Sequence, residues 1–251
     1  MRTGFSLLDF RLGIRMLVKY PGLTLVGGLG MAVAIAIGAG AYAYFNSYLH
    51  PTLPLHEGGR VVGLENWDAA AGNQEPRSLH DFATWRDELR SVEDVGAFRT
   101  VERNLVAPDG TAEPVPVAEM TASGFRVARV PALVGRPLLD EDEREGAPPV
   151  LVIGHEEWRT RFAADPGVVG RSVRLGGVAH TVVGVMPEGF AFPVSHRFWT
   201  PLRADPSKYE RRRGPAVTVF GRLAPGATLE AARAELDALG RRTAAANPKT
   251  H

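Results

Sequence analysis

Between Leu23 and Leu49 the chain carries no charged residue. At about 1.5 Å of rise per residue, a helix of that length exceeds the ~30 Å hydrocarbon layer of a bilayer. Residues 23–49 are therefore predicted to form a transmembrane helix. Its main polar side chains, Thr24, Asn46 and Ser47, lie near its ends, and Tyr42, Tyr44 and Tyr48 cluster where an interfacial aromatic belt would sit. Arg2, Arg11, Arg15 and Lys19 precede the run, while Arg60 alone among basic residues follows within the next twenty or so positions. That asymmetry predicts a cytoplasmic N-terminus and export of everything beyond Pro51. A cleaved signal peptide is the competing reading, since Ala41 and Ala43 form an A-x-A pattern. Against it stand a long charged leading region and an apolar run that continues through Phe45 to Leu49, past that cut.

Two features of this end point to partners. Gly28, Ala32, Ala36 and Gly40 recur every fourth residue, as do Gly30, Ala34 and Gly38. Such small-residue ridges let a second membrane helix approach closely, although Gly and Ala are also common in any span. Upstream, Phe5, Leu8, Leu12 and Met16 follow near-helical spacing among Asp9, Arg11, Arg15 and Lys19, until Pro21 and Gly22 interrupt the pattern. Residues 1–22 read as a cytoplasmic amphipathic basic segment. It is either a topogenic flank or a helix that touches a cytoplasmic partner through Arg11, Arg15 and Lys19.

A chain of 251 residues with 45% apolar content can hold one good-sized core or two small ones. The whole chain has a net charge of +1, which gives no electrostatic case for a nucleic-acid partner. It contains no cysteine, which excludes a disulfide framework, a thiolate zinc site and a cysteine nucleophile. Val61 to Leu64 is a first strand, followed by a polar loop ending at Pro76. Ser78 and Asp81 form a capping-box-like pair before a helix whose stripe is Leu79, Phe82, Trp85 and Leu89. Val95–Ala107 and Ala112–Met120 are joined through Pro108, Asp109 and Gly110 as a hairpin; Val173–Leu175 and Val178–Met186 flank Gly176 and Gly177 in the same way. Val150–Ile153 is a short buried strand leading to a helix with Trp158 and Phe162 that ends before Pro166. Val217–Leu223 is strand-like, and Thr228 caps a helix with Leu229, Ala232, Leu236 and Leu239 that stops at Asn247 and Pro248. Strands and helices mingle without strict alternation, so the expected fold is α+β with largely antiparallel pairing.

Catalytic motifs are wanting. His155-Glu156 begins like H-E-x-x-H, but Arg159 stands where the second ligand is required. Gly38, Gly40 and Ala43 match G-x-G-x-x-A inside the apolar run, where no strand precedes them. There is no P-loop and no G-x-S-x-G elbow. Asp140, Glu141, Asp142, Glu143 and Glu145 lack EF-hand spacing and read as a solvated acidic loop, and the basic run Arg211–Arg213 reads as a solvated loop and not a nucleic-acid contact. No enzyme activity, cofactor or metal is expected.

The order of short blocks carries a resemblance. Leu8-Asp9-Phe10-Arg11 and Arg15 through Gly22 are followed by Asp81-Phe82 with Trp85, Gly135-Arg136-Pro137, Trp158-Arg159 with Phe162, and Val169-Gly170-Arg171. Then come Val182 to Pro187, Gly189-Phe190, Phe192-Pro193, Trp199 to Leu202, and Arg222-Leu223 with Pro225-Gly226. In this order they resemble the first membrane helix and periplasmic core domain of MacB/FtsX-like ABC transporter permeases, including their duplicated acidobacterial group. The resemblance implies a bacterial inner-membrane location and a MacB-like periplasmic core over residues 50–251, of one lobe or two. It also implies a separate cytoplasmic ABC ATPase as partner, contact with other permease helices or a homodimer mate, and mechanotransmission for efflux or extrusion. Such permeases continue into three further membrane helices, whereas this sequence ends at His251 without a second apolar span. An N-terminal fragment is the corresponding expectation. The alternative is a single-pass, membrane-tethered periplasmic binding or sensor module.

Overall fold

A computed structural model describes residues 15, 19–49, 55–68, 72–106 and 110–247. The chain divides into two compact units, residues 1–52 and 53–251. In the first, helix α1 spans Pro21–Leu49. Helical Lys19 is followed by a break at Tyr20, and Pro21, expected to interrupt the upstream pattern, also opens the next helix, since a first-turn proline loses no helical hydrogen bond. The described side chains of α1 are exposed, and Thr24–Tyr42 is long and apolar enough to cross a bilayer.

The second unit is built on a nine-stranded sheet. Strands β1 (Val61–Leu64), β4 (Val92–Val106), β5 (Ala112–Met120), β6 (Val134–Gly135), β7 (Val150–Ile153), β8 (Ser172–Leu175), β9 (Val178–Val185), β10 (Phe198–Pro201) and β11 (Thr218–Leu223) compose it in the order β1-β11-β4-β5-β10-β7-β9-β6. Strand β8 pairs with both β4 and β9, which closes β4-β5-β10-β7-β9-β8 into a small barrel. Two pairings, β5–β10 and β7–β9, are parallel and the rest antiparallel. The α+β, largely antiparallel fold expected from the sequence is the one observed. Helices α2 (Leu79–Glu88), α3 (Ala122–Ala128), α4 (His155–Arg161) and α5 (Leu229–Ala246) pack around the sheet.

Side-chain alternation assigns the cores. On β5, Val115 and Val117 point into the barrel with Leu105, Leu151, Ile153, Leu175, Val182 and Phe198. Ala118 and Met120 point out of it, into a second core with Phe98, Phe125, Phe192, Trp199 and Phe220. A third core gathers the α2 stripe Leu79, Phe82, Trp85 and Leu89 with Val95, Ala97, Val219 and Leu239. The two-residue turn Gly176-Gly177 between β8 and β9 has φ of 59° and 82°, the left-handed pair a type I′ hairpin requires.

Several local expectations are corrected. The polar loop before Pro76 contains a small ribbon, β2 (Asn66–Asp68) against β3 (Asn73–Glu75). Ser78 sits at the N-cap of α2 but makes no side-chain cap bond, because Asp81 is buried and engaged by Asn66 and Arg211. The β4–β5 connection pairs Val106 with Ala112, so it is longer than a two-residue turn; Pro108 and Asp109 lie outside the described residues. Leu229 is exposed, while Ala232 and Leu239 carry the buried face of α5. Thr228 does cap that helix, its hydroxyl accepting from the Ala231 amide at 3.2 Å.

Close packing of β6 on β9 supplies one prediction. Gly135 faces Gly184, and a Cβ on Gly184 would overlap the Arg136 carbonyl group. Gly184→Ala must push the two strands apart, and overpacking of that kind costs about 1–3 kcal/mol. Urea unfolding should read that loss; an unchanged midpoint would mean that the strands are not in register as described.

Candidate functional site

The sequence singles out the N-terminal unit. Arg15 and Lys19 are helical and exposed, and Lys19 Nζ lies 5.6 Å from the Tyr20 ring centroid; Arg11 falls outside the described residues. On α1, Gly28, Ala32, Ala36 and Gly40 lie exposed, as do Gly30, Ala34 and Gly38. A Cβ at any of these four glycines of the ridges would meet no other atom. Both ridges are thus free to receive another surface in the structure described.

In the second unit, its first described residues are fixed by an arginine that sequence reasoning missed. Arg222 on β11 is wholly buried. Its Nε and Nη2 donate to the Val127 carbonyl at 2.9 and 2.7 Å, Nη2 also to His56 O at 3.1 Å, and Nη1 to Glu57 O at 3.2 Å. Burial pulls its pKa down, helped by the positive charges of Arg129 and Arg60, but a guanidinium starts so high that it stays charged. Around it, Arg60 donates to Glu57 at 2.7 Å and Glu93 at 3.1 Å, and Arg129 donates to Glu93 at 2.5 Å. Burial by itself would raise the Glu57 carboxyl, yet Arg60, with His56 and Arg129, holds it below the ordinary range. The planar fork thereby ties residues 56–57, the end of α3 and β11 together. The sequence offered only its place in the Arg222-Leu223 block and in the strand-like run Val217–Leu223, which is buried at every position from Val219 to Leu223 and so shows no alternation that would single it out.

The acidic stretch is solvated at Asp140, Glu141 and Glu145, as expected, but not at Asp142 and Glu143. Asp140–Glu143 forms a 3-10 turn in which Asp142 is buried and accepts from Arg136 at 2.6 and 3.0 Å and from the Leu139 amide at 2.8 Å. Glu143 accepts from the Ala122 amide, Asp140 pairs with Arg126, and Glu145 with Lys208. Four of the five acidic groups thus have internal partners. Among the described residues no three His, Asp or Glu side chains are grouped to hold a metal ion. Likewise Arg211, from the basic run, reaches buried Asp81.

These pairs give the domain an acid limb. Burial would raise the Asp142 carboxyl, but the bonds from Arg136 and the Leu139 amide hold it below its ordinary value of about 4. The folded state thus binds that proton less readily than the unfolded chain, and the resulting stabilisation is present above about pH 4 and lost as pH falls through the folded value. Asp142→Asn should therefore lower stability more at pH 7 than at pH 3, read by urea titrations at both. Equal losses at the two pH values would remove the ion pair from the account. Glu143 works in the opposite sense, because burial raises its pKa.

No curated protein matches the chain in sequence. The sequence profile of the family described as the MacB-like periplasmic core domain matches residues 23–239. The chain belongs to that family. Two solved structures share the fold of this MacB-like domain. The periplasmic region of MacB from Actinobacillus actinomycetemcomitans superposes with a TM-score of 0.53 at 15% identity, covering 73% of this chain and 84% of that one. The extracellular domain of the noncanonic ABC-type transporter YknZ from Gram-positive bacteria gives 0.51 at 16% identity, covering 72% and 95%. The MacB-like domain is thus joined, within one family match, to a helix apolar enough to cross a bilayer.

Proposed function

We propose that this chain is the membrane-anchored, exported part of a MacB-like ABC permease, and that it passes motion from a cytoplasmic ATPase to its periplasmic domain for efflux or extrusion. The observation that carries the reading is the family match, which begins at residue 23, inside the apolar helix, and runs through the folded domain to residue 239. In this reading residues 1–22 face the cytoplasm, 23–49 span the bilayer and 50–251 lie outside. Arg11, Arg15 and Lys19 meet the ATPase side, and the ridges of Gly28, Ala32, Ala36 and Gly40 and of Gly30, Ala34 and Gly38 receive a neighbouring permease helix or a second copy of the chain. The Arg222 clamp then delivers displacement of residues 56–57 to the sheet.

Topology is directly testable, because the chain has no cysteine of its own. Ala234→Cys, at an exposed position on α5, should react with a membrane-impermeant maleimide in intact spheroplasts. Protection until the membrane is lysed would overturn the orientation. Co-purification with an ABC ATPase tests the coupling role, and binding that survives deletion of residues 1–22 would remove that role from Arg11, Arg15 and Lys19.

A further inference from the structure

The barrel closes unevenly. Strands β4 and β8 pair only at Leu105–Leu175 and Val106–Arg174, the Gly176 amide of the β8–β9 turn donates to the Asn104 carbonyl at 2.9 Å, and no pairing to β8 precedes it on β4. A cleft of about 360 Å³ opens there, at one mouth of the barrel, a place and a size at which folded domains commonly hold small molecules. By strand alternation Arg99 and Arg103 of β4 and Glu119 of β5 face the barrel side, together with Thr200 of β10. His180 of β9 and Arg203, just after β10, complete the lining.

The charges in this mouth do not balance. Glu119 accepts from Arg99 at 2.6 Å and from Arg103 at 2.9 Å, one carboxylate shared by two guanidinium groups. Arg203 is held by the carbonyl oxygens of Asp142 and Pro148 at 2.9 and 2.8 Å, and among the described residues it forms no ion pair. Three guanidiniums against one carboxylate leave an excess of two positive charges around the cleft. The His180 ring feels it: burial, then Arg203 and Arg103, hold its pKa below the ordinary imidazole value. Arg203 and β4 stand two strand spacings apart, roughly 10 Å, so the cations line both sides of the opening and do not crowd one point. Guanidinium forks recognise planar or tetrahedral oxyanions through paired N–H bonds.

We propose that this barrel mouth binds a small molecule bearing two or more phosphate or carboxylate groups. Glu119 is the internal competitor that such a ligand displaces from Arg99 and Arg103. The proposal is independent of any coupling to an ATPase.

The test uses the full chain in phosphatidylcholine nanodiscs, titrated calorimetrically with pyrophosphate and with citrate at low and high salt. Saturable binding that weakens with salt is expected. Glu119→Gln removes the competing charge and should tighten binding about tenfold or more, whereas Arg103→Gln should weaken it by a similar factor. The opposite signs separate a site from nonspecific charge or loss of folding, which thermal melts of each variant check. Repeating the titration with phosphatidylglycerol in the disc assigns the source: suppression of pyrophosphate binding points to a lipid headgroup, and its persistence to a soluble anion. Absence of saturable binding by either probe, or binding that is the same in both variants, overturns the proposal.

Discussion

Arg222→Ala is expected to lower the stability of the folded domain by about 3–5 kcal/mol, the range seen when a buried, fully bonded charge is removed from its partners. The side chain is wholly enclosed, and its loss leaves the carbonyl oxygens of Val127, His56 and Glu57 without the donors they now have. The buried Val127 acceptor so abandoned costs about 1–3 kcal/mol, and the part-buried oxygens of His56 and Glu57 cost less. For a domain of this size the loss corresponds to a melting temperature lower by roughly 10 °C. Arg222→Lys should recover only part of it, since a single ammonium cannot reach three carbonyls arranged around a planar fork. If the lysine variant melts with the wild type, the fork is not what holds residues 56–57.

Trp199→Ala is the second large effect. Trp199 is wholly buried at the centre of β10, with its ring 5.3 Å from Phe190 and 6.3 Å from Phe125, and its Nε1–H donates to the Phe192 carbonyl at 2.9 Å. Truncation removes the largest side chain of the second core and leaves a cavity between α3 and the loop 187–194; such changes cost about 3–5 kcal/mol. Trp199→Phe keeps most of the packing but leaves the Phe192 oxygen unpaired, so a loss of about 1–2 kcal/mol is expected. Chemical unfolding of both variants checks the order. A phenylalanine variant as damaged as the alanine one would show that the hydrogen bond, not the volume, dominates.

The elements read correctly from sequence were those with a period to read. The α2 stripe at Leu79, Phe82, Trp85 and Leu89, the Gly176-Gly177 turn and the Thr228 cap each rest on a local rule that the tertiary structure obeys. Helix α3 has no such signature: six of its seven residues are buried and Arg126 alone is outside, so no polar face marks the turn. Strand β10 is buried at all four positions and includes Pro201, which conceals it for the same reason. The acidic run misled because charge in sequence reads as solvent exposure, whereas Asp142 and Glu143 find donors at Arg136 and the Ala122 amide that are distant or unmarked in the chain. Arg222 was illegible because its partners are backbone carbonyls, which every residue possesses.

Strand β4 decides how the folded domain responds to a pull. Its first residues, Val92 to Ala97, belong to the core under α2 and α5, and Leu105 belongs to the barrel interior. Fifteen residues of extended chain make a strut about 50 Å long. The strut is laddered to β11 over its first half and to β5 over its second, so the two halves cannot hinge apart unless that one strand itself bends or breaks.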